Sequence, residues 1–149
     1  MKVLAYKGKG AISKAIQWQT RSPWSHVAIL LDNGETIEAW QKGGVRICGS
    51  PGENHAAGTE IAVFGIDYKF DEATATARLL AEVGKKYDFS SVLRFVTRRD
   101  SAADNKWFCS ELVHAILPFL LARINSAHVS PRDIVLSPYL KFEKIFSVR

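Results

Sequence analysis

The clearest pattern in the chain is a pair of β-rich runs around one Asn-Gly pair, "SHVAILLDNGETIEAW", Ser25 to Trp40. Apolar and polar positions alternate on both sides of Asn33-Gly34, which predicts a hairpin. A two-residue turn would set Ile29 opposite Glu38. A three-residue loop, Asp32-Asn33-Gly34 with Gly34 left-handed, pairs Ile29 with Ile37 and Val27 with Ala39. Apolar then meets apolar, so the pattern selects the three-residue loop. His26 falls on the other face, opposite Trp40, with Glu38 as its diagonal neighbour at a span long side chains bridge.

Further elements follow from periodicity. Val3 to Tyr6 predicts a first strand, Val45 to Cys48 a third strand of the hairpin sheet, Glu60 to Ile66 another, and Phe142 to Val148 a last one. Ala11 to Gln19 has helical spacing, with Ile12, Ala15 and Ile16 on one side. Asp71 caps a helix running to about Gly84, with Ala73, Ala77, Leu80 and Val83 inward. "KKYDFSSVLRFV" predicts a turn and a short helix, and "RRDSAADNK" a polar loop. Cys109 to Ile124 is the strongest helical pattern, bent or ended near Pro118. The expected fold class is α+β, an antiparallel sheet of four to six strands with packed helices.

Length and composition add bounds. At 149 residues the chain suits a single domain, 1–149, with a real core. It is 47% hydrophobic and 23% charged, ordinary for a globular protein. The net charge of +5 is spread along the chain, with small clusters at Lys85-Lys86 and Arg98-Arg99. This gives a weak attraction to anionic surfaces but no strong nucleic-acid signal. No apolar run is long enough for a signal leader or a transmembrane span, so the expectation is a soluble, cytoplasmic protein.

Two cysteines, Cys48 and Cys109, make neither a disulfide framework nor a CxxC metal spacing, so no cofactor is expected. Cys109 opens the apolar helix in "KWFCSELVHAIL". There it is either a small core residue or a nucleophile whose thiolate the helix start favours. A nucleophile needs a base and an orienting group. His26 on its strand suits the base, Glu38 on the partner strand suits the orienting carboxylate, and the Cys109 N–H suits an oxyanion donor. Trp24 and Trp40 are candidates for the wall of a substrate cleft. Gly43 and Gly44 would either let substrate approach the backbone or mark a bend. The other candidates are weaker. Cys48 has no helix behind it, and His114 lies off the face of Cys109. His55 and His128 sit in loops without an evident partner. Ser110 lacks the strained glycine elbow of serine hydrolases.

"SPWSHVAILLDNGETIEAW", "GGVRI", "KWFCSELV" and "VSPRDIVLSP", in this order, resemble the circularly permuted papain-like cysteine hydrolases. These are the YiiX-like branch of the NlpC-type superfamily, which also holds lecithin:retinol acyltransferase-like proteins. The resemblance covers about Tyr6 to Pro138 and is carried mainly by "SHVAI" and "FCSEL". It implies His26 as base, Cys109 as nucleophile and Glu38 as third member. It also implies an acyl-thiol route to cleavage of an amide, ester or thioester. Compact versions resemble bacterial and phage proteins. The expected activity is a cysteine peptidase or amidase on a small peptide, of peptidoglycan type. The alternatives are acyl transfer or ester cleavage on lipid, or a non-catalytic binding module.

Overall fold

A computed structural model describes residues 1–89, 106–121 and 129–149. The predicted helix and polar loop between residues 90 and 105, Arg98-Arg99, His128 and the end of the Cys109 helix pattern lie outside those residues.

The strands are β1 (Lys2–Lys7), β2 (His26–Leu30), β3 (Thr36–Trp40), β4 (Gly44–Cys48), β5 (Glu60–Ile66), β6 (Lys86–Tyr87), β7 (Lys106–Trp107) and β8 (Leu140–Ser147). The helices among the described residues are α1 (Ala11–Thr20), α2 (Glu72–Ala81), α3 (Cys109–Ile116) and α4 (Pro131–Val135), with a 3₁₀ turn at Pro118–Leu121. Six strands form one sheet in the order β4-β3-β2-β1-β5-β8, and β6 and β7 make a separate short parallel pair. Each pairing in the large sheet is antiparallel. The α+β expectation holds.

The hairpin forms as the apolar pattern requires. Ile29 pairs with Ile37. Leu31 N–H donates to the Glu35 carbonyl at 2.8 Å and Gly34 N–H to the Leu31 carbonyl at 3.0 Å. Gly34 has φ +90°, the left-handed residue of a three-residue loop.

Strict alternation then gives the sheet two unlike faces. Val3, Ala5, Val27, Ile29, Ile37, Ala39 and Val45 pack with Phe108, Cys109, Leu112 and Val113 in the main core. Ile29 and Ile37 are fully buried there, each contributing about 1.5–3 kcal/mol of apolar burial. The opposite face carries a smaller cluster of Leu4, Tyr6, Ala28, Ile61 and Val63. His26, Glu38, Arg46 and Cys48 belong to this second face by register.

Two helix expectations need correction. Asp71 does cap α2, accepting from Thr74 N–H at 3.0 Å, but the buried positions are Ala75 and Leu79. Ala73, Ala77 and Leu80 face outward, and Val83 is at the surface beyond the helix. An alanine-rich helix with few large apolar residues leaves its inward stripe underdetermined by a position or two. In α1 only Ile16 is buried, and Ile12 is exposed. α3 ends at Ile116, two residues before Pro118, as an imino acid without an N–H requires.

The β3–β4 turn explains Gly43-Gly44 structurally. Gly44 has φ +72°, and a Cβ there would lie 2.0 Å from the Lys85 carbonyl oxygen. Val45 N–H donates to that carbonyl and Gly84 N–H donates to the Val45 carbonyl, each at 2.8 Å. Gly44→Ala is expected to cost about 2 kcal/mol or more in urea denaturation. Gly43→Ala faces only the strain of φ +97° in open space, so about 1 kcal/mol is expected. Equal losses at the two positions would mean the close approach is not what Gly44 provides.

Candidate active site

Glu38 is the centre of the second face. Its side chain is 1% exposed and flanked in sequence by Ile37 and Ala39, which both turn to the main core. A buried carboxylate needs donors, and Glu38 is surrounded by them. His26 Nε2 lies 2.7 Å and His55 Nε2 3.1 Å from the same oxygen, Oε2. Arg46, directly across on β4, bonds Oε1 through Nε at 3.0 Å and Nη2 at 2.7 Å. The Cys48 thiol donates to Oε1 at 3.5 Å.

These contacts assign protonation. Burial pushes the Glu38 carboxyl up, but the hydrogen bonds and charges of His26 and His55 overcome it and hold the group well below the carboxylate range. Burial lowers His26, and the Glu38 anion only partly offsets it. Glu38 is therefore anionic and accepts only, and neutral His26 must carry its proton on Nε2. That leaves Nδ1 of His26 as the basic nitrogen, with no protein partner among the described hydrogen bonds. Cys48 is pushed up to about 11 by burial and by the Glu38 charge, so it stays a thiol.

Aromatic rings fix the imidazoles. Tyr6 meets His26 edge-on at 5.0 Å and stacks on His55 at 4.4 Å. Trp40 meets His26 edge-on at 5.2 Å and His55 at 4.5 Å, and the Arg46 guanidinium sits 5.1 Å above the Trp40 ring. Of the two tryptophans expected near His26, Trp40 is there. Trp24 instead packs against the main core.

His55 corrects the expectation that it has no partner. Its loop folds over the sheet because Gly52, at φ +85°, fits closely against Ile61 and Val148, and His55 N–H donates to the Gly52 carbonyl at 2.9 Å. The glycine-rich stretch marked a turn, but nothing local said which face the turn would cover.

Cys109 lies on the other side of β2. It begins α3, whose N-cap is Phe108, and the Phe108 N–H donates to the Glu111 carboxylate at 3.2 Å. The backbone N–H groups of Val27 and Ser110 both bond the sulfur, yet burial dominates and pushes the thiol up to about 12. Val27 follows His26 directly, so imidazole and thiol flank a single peptide unit. The structure joins His26 to Glu38 and sets Cys109 beside their strand, with no hydrogen bond between thiol and imidazole. The Ser110 hydroxyl donates to the Val129 carbonyl at 2.5 Å, and His114 Nε2 lies 3.3 Å from the Leu121 carbonyl.

A groove of about 430 Å³ runs past Gly43, Gly44, Lys86, Tyr87, Phe89 and Lys106. Tyr87 lies 6.0 Å from the Phe108 ring, so the groove adjoins the start of α3. Gly43 and Gly44 thus line a groove together with Tyr87 and Phe89.

No family model matches the chain, and no curated protein matches it. Among solved structures, the crystal structure of YiiX from Escherichia coli O157:H7, a DUF1105 protein described as a metalloprotein, aligns with a TM-score of 0.66. The alignment covers 96% of this chain and 94% of that one, at 19% identity. The chain has the YiiX fold. At that identity the likeness speaks for the fold alone. No helix among the described residues is long and apolar enough to cross a membrane.

The site predicts a direction of pH dependence. His26 and Glu38 are both lowered in the folded state from their ordinary values of 6.5 and 4.5. Between folded and unfolded values the unfolded chain binds more protons, so acid favours unfolding. The stability these groups supply is present above pH 6.5 and is lost as pH falls, first through His26 and then, below 4.5, through Glu38. Melting temperature is expected to fall from pH 7 downward, with Glu38→Gln flattening the part of the curve below pH 4.5. That substitution is expected to cost about 3 kcal/mol at pH 7, because it leaves Arg46 and two imidazoles around a neutral amide. A loss below about 1 kcal/mol would mean the cluster is not held by its central charge.

Proposed function

We propose that the protein is a permuted papain-like thiol hydrolase in which Cys109 is the nucleophile, His26 the base and Glu38 the residue that orients it. The observation that carries this is the 2.7 Å bond from His26 Nε2 to a buried, anionic Glu38. It fixes the tautomer that leaves Nδ1 basic, as a triad requires. The second support is the position of the sulfur at the start of α3, against the amide that follows His26.

A thiol pushed up to about 12 does not rest as a thiolate. The proton therefore leaves during attack. Nδ1 of His26 takes it as sulfur bonds to the acyl carbon, and Glu38 stabilises the imidazolium. The developing oxyanion turns to backbone N–H groups at the start of α3. The imidazolium then returns the proton to the leaving amine as the C–N bond breaks. Water releases the acyl group by the reverse roles. The transfer requires the thiol, which packs on the face of β2 opposite the imidazole, to come within hydrogen-bond reach of Nδ1.

An amide in a small peptide, of peptidoglycan type, is the proposed substrate. The groove lined by Gly43, Gly44 and Tyr87 leads to the start of α3, and Lys86 and Lys106 at its rim suit a peptide carrying carboxylates. Ester or thioester cleavage on an acyl chain uses the same groups.

Exposure to a panel of activated amides and esters, followed by mass spectrometry, is expected to give one acyl adduct, on residue 109. It should disappear in Cys109→Ala and fall at least about a hundredfold in rate in His26→Ala. The acylation rate should rise with pH through a single ionisation with a midpoint below 6.5, the lowered value of His26. An adduct on Cys48, or none on either cysteine with any substrate, would remove the proposal.

A further inference from the structure

His55 helps keep Glu38 ionised but has no direct step in that chemistry, yet it is held on three sides. Its side chain is 5% exposed, stacked on Tyr6, faced by Trp40, and aimed at the same carboxylate oxygen. One ligand atom from each of His26, Glu38 and His55 lies within 4.8 Å of the other two, and both Nε2 atoms lie within 3.1 Å of Glu38 Oε2. We infer that these three atoms form a binding site for a divalent transition cation of the zinc class.

The spacing is close to what such an ion needs. Tetrahedral zinc with bonds near 2.0–2.1 Å holds its ligand atoms about 3.3 Å apart. Here the two nitrogen-to-oxygen separations are 2.7 and 3.1 Å. An ion would widen both nitrogen-to-oxygen separations by a fraction of an ångström and take the place of two N–H donors. Two imidazoles and one carboxylate select zinc or cobalt over calcium or magnesium, which take oxygen ligands. Arg46 and Cys48 hold the other carboxylate oxygen, fixing Glu38 so that Oε2 alone is presented. Arg46 also balances the carboxylate charge. The ion therefore keeps its own charge and completes its coordination with water or an anion.

Binding moves protons within the site. An imidazole that ligates through Nε2 carries its hydrogen on Nδ1. The nitrogen of His26 that serves as base is then occupied by a proton. That consequence rests on the hydrolase proposal, whereas the site itself does not.

The test is equilibrium dialysis of untagged protein against Zn²⁺, with Co²⁺ absorption as the spectroscopic signature. One equivalent is expected, with cobalt bands of nitrogen and oxygen ligation and no sulfur charge-transfer band. His55→Gln keeps a donor for Glu38 but no imidazole, and it should weaken binding at least about tenfold while remaining folded. His26→Ala should weaken it similarly, and Cys48→Ser and Cys109→Ser should leave it within about threefold of the parent, since neither sulfur is a ligand. No bound ion, unchanged binding in folded His55→Gln, or a sulfur band that Cys48→Ser or Cys109→Ser removes would each overturn the inference. The readout is binding without substrate, so it stands or falls separately from acylation of Cys109.

Discussion

One buried negative charge organises the second face of the sheet. Glu38 cannot remain ionised without compensation, and its two oxygens divide the task. Oε1 takes the Arg46 fork and the Cys48 thiol, while Oε2 takes two imidazoles. The division follows from strand geometry. Arg46 is the direct partner of Glu38 across β3 and β4, and His26 is a diagonal neighbour across β2 and β3. His55 comes from outside the sheet and closes the arrangement from above. An apolar residue at 38 would leave a guanidinium and two buried ring N–H groups without their acceptor, so this carboxylate is costly to replace.

The sheet is also a partition. Successive residues on β2 face opposite sides, so Val27 joins the core that holds Cys109 while His26 joins the polar cluster. A thiol packed in the core gains burial and loses ionisation. An imidazole in the cluster gains an orienting anion and loses positive charge. Each is stable at rest as a neutral group, and the single peptide unit between them is where the two environments meet. Under the proposed chemistry, a thiol that rests protonated favours transfer concerted with attack over a standing ion pair.

The hairpin was legible because its information is local. Alternation and one Asn-Gly pair determine register, and register places His26 diagonal to Glu38. The same logic located β5 to the residue and the Asp71 cap of α2. What alternation does not report is which face a neighbouring element will cover. The inward stripe of α2 fell one or two positions away, since alanines scarcely discriminate between faces. His55 was invisible for a similar reason. Its loop is directed by Gly52 fitting against Ile61 and Val148, a contact between segments with no periodic signature. Arg46 on β4 was within reach of the pattern, because extending the hairpin register by one strand sets it opposite Glu38. The side of the sheet chosen by Cys109 depends on how α3 packs, and no pattern inside α3 carries that information.

His26 is asked for one proton in two incompatible places. As a base it must keep hydrogen on Nε2, against Glu38, and leave Nδ1 open. As a metal ligand it must surrender Nε2 and hold hydrogen on Nδ1. Both arrangements use the same anion, the same ring plane and the same aromatic walls, so neither demands a different fold. What separates them is His55. A base needs only its orienting carboxylate, and any donor above Oε2 would serve to keep that carboxylate ionised, as His55 does here. A cation site is incomplete without it. His55→Gln, which keeps a donor for Glu38 and removes the imidazole, therefore separates the two proposed roles that a change at His26 itself would alter together.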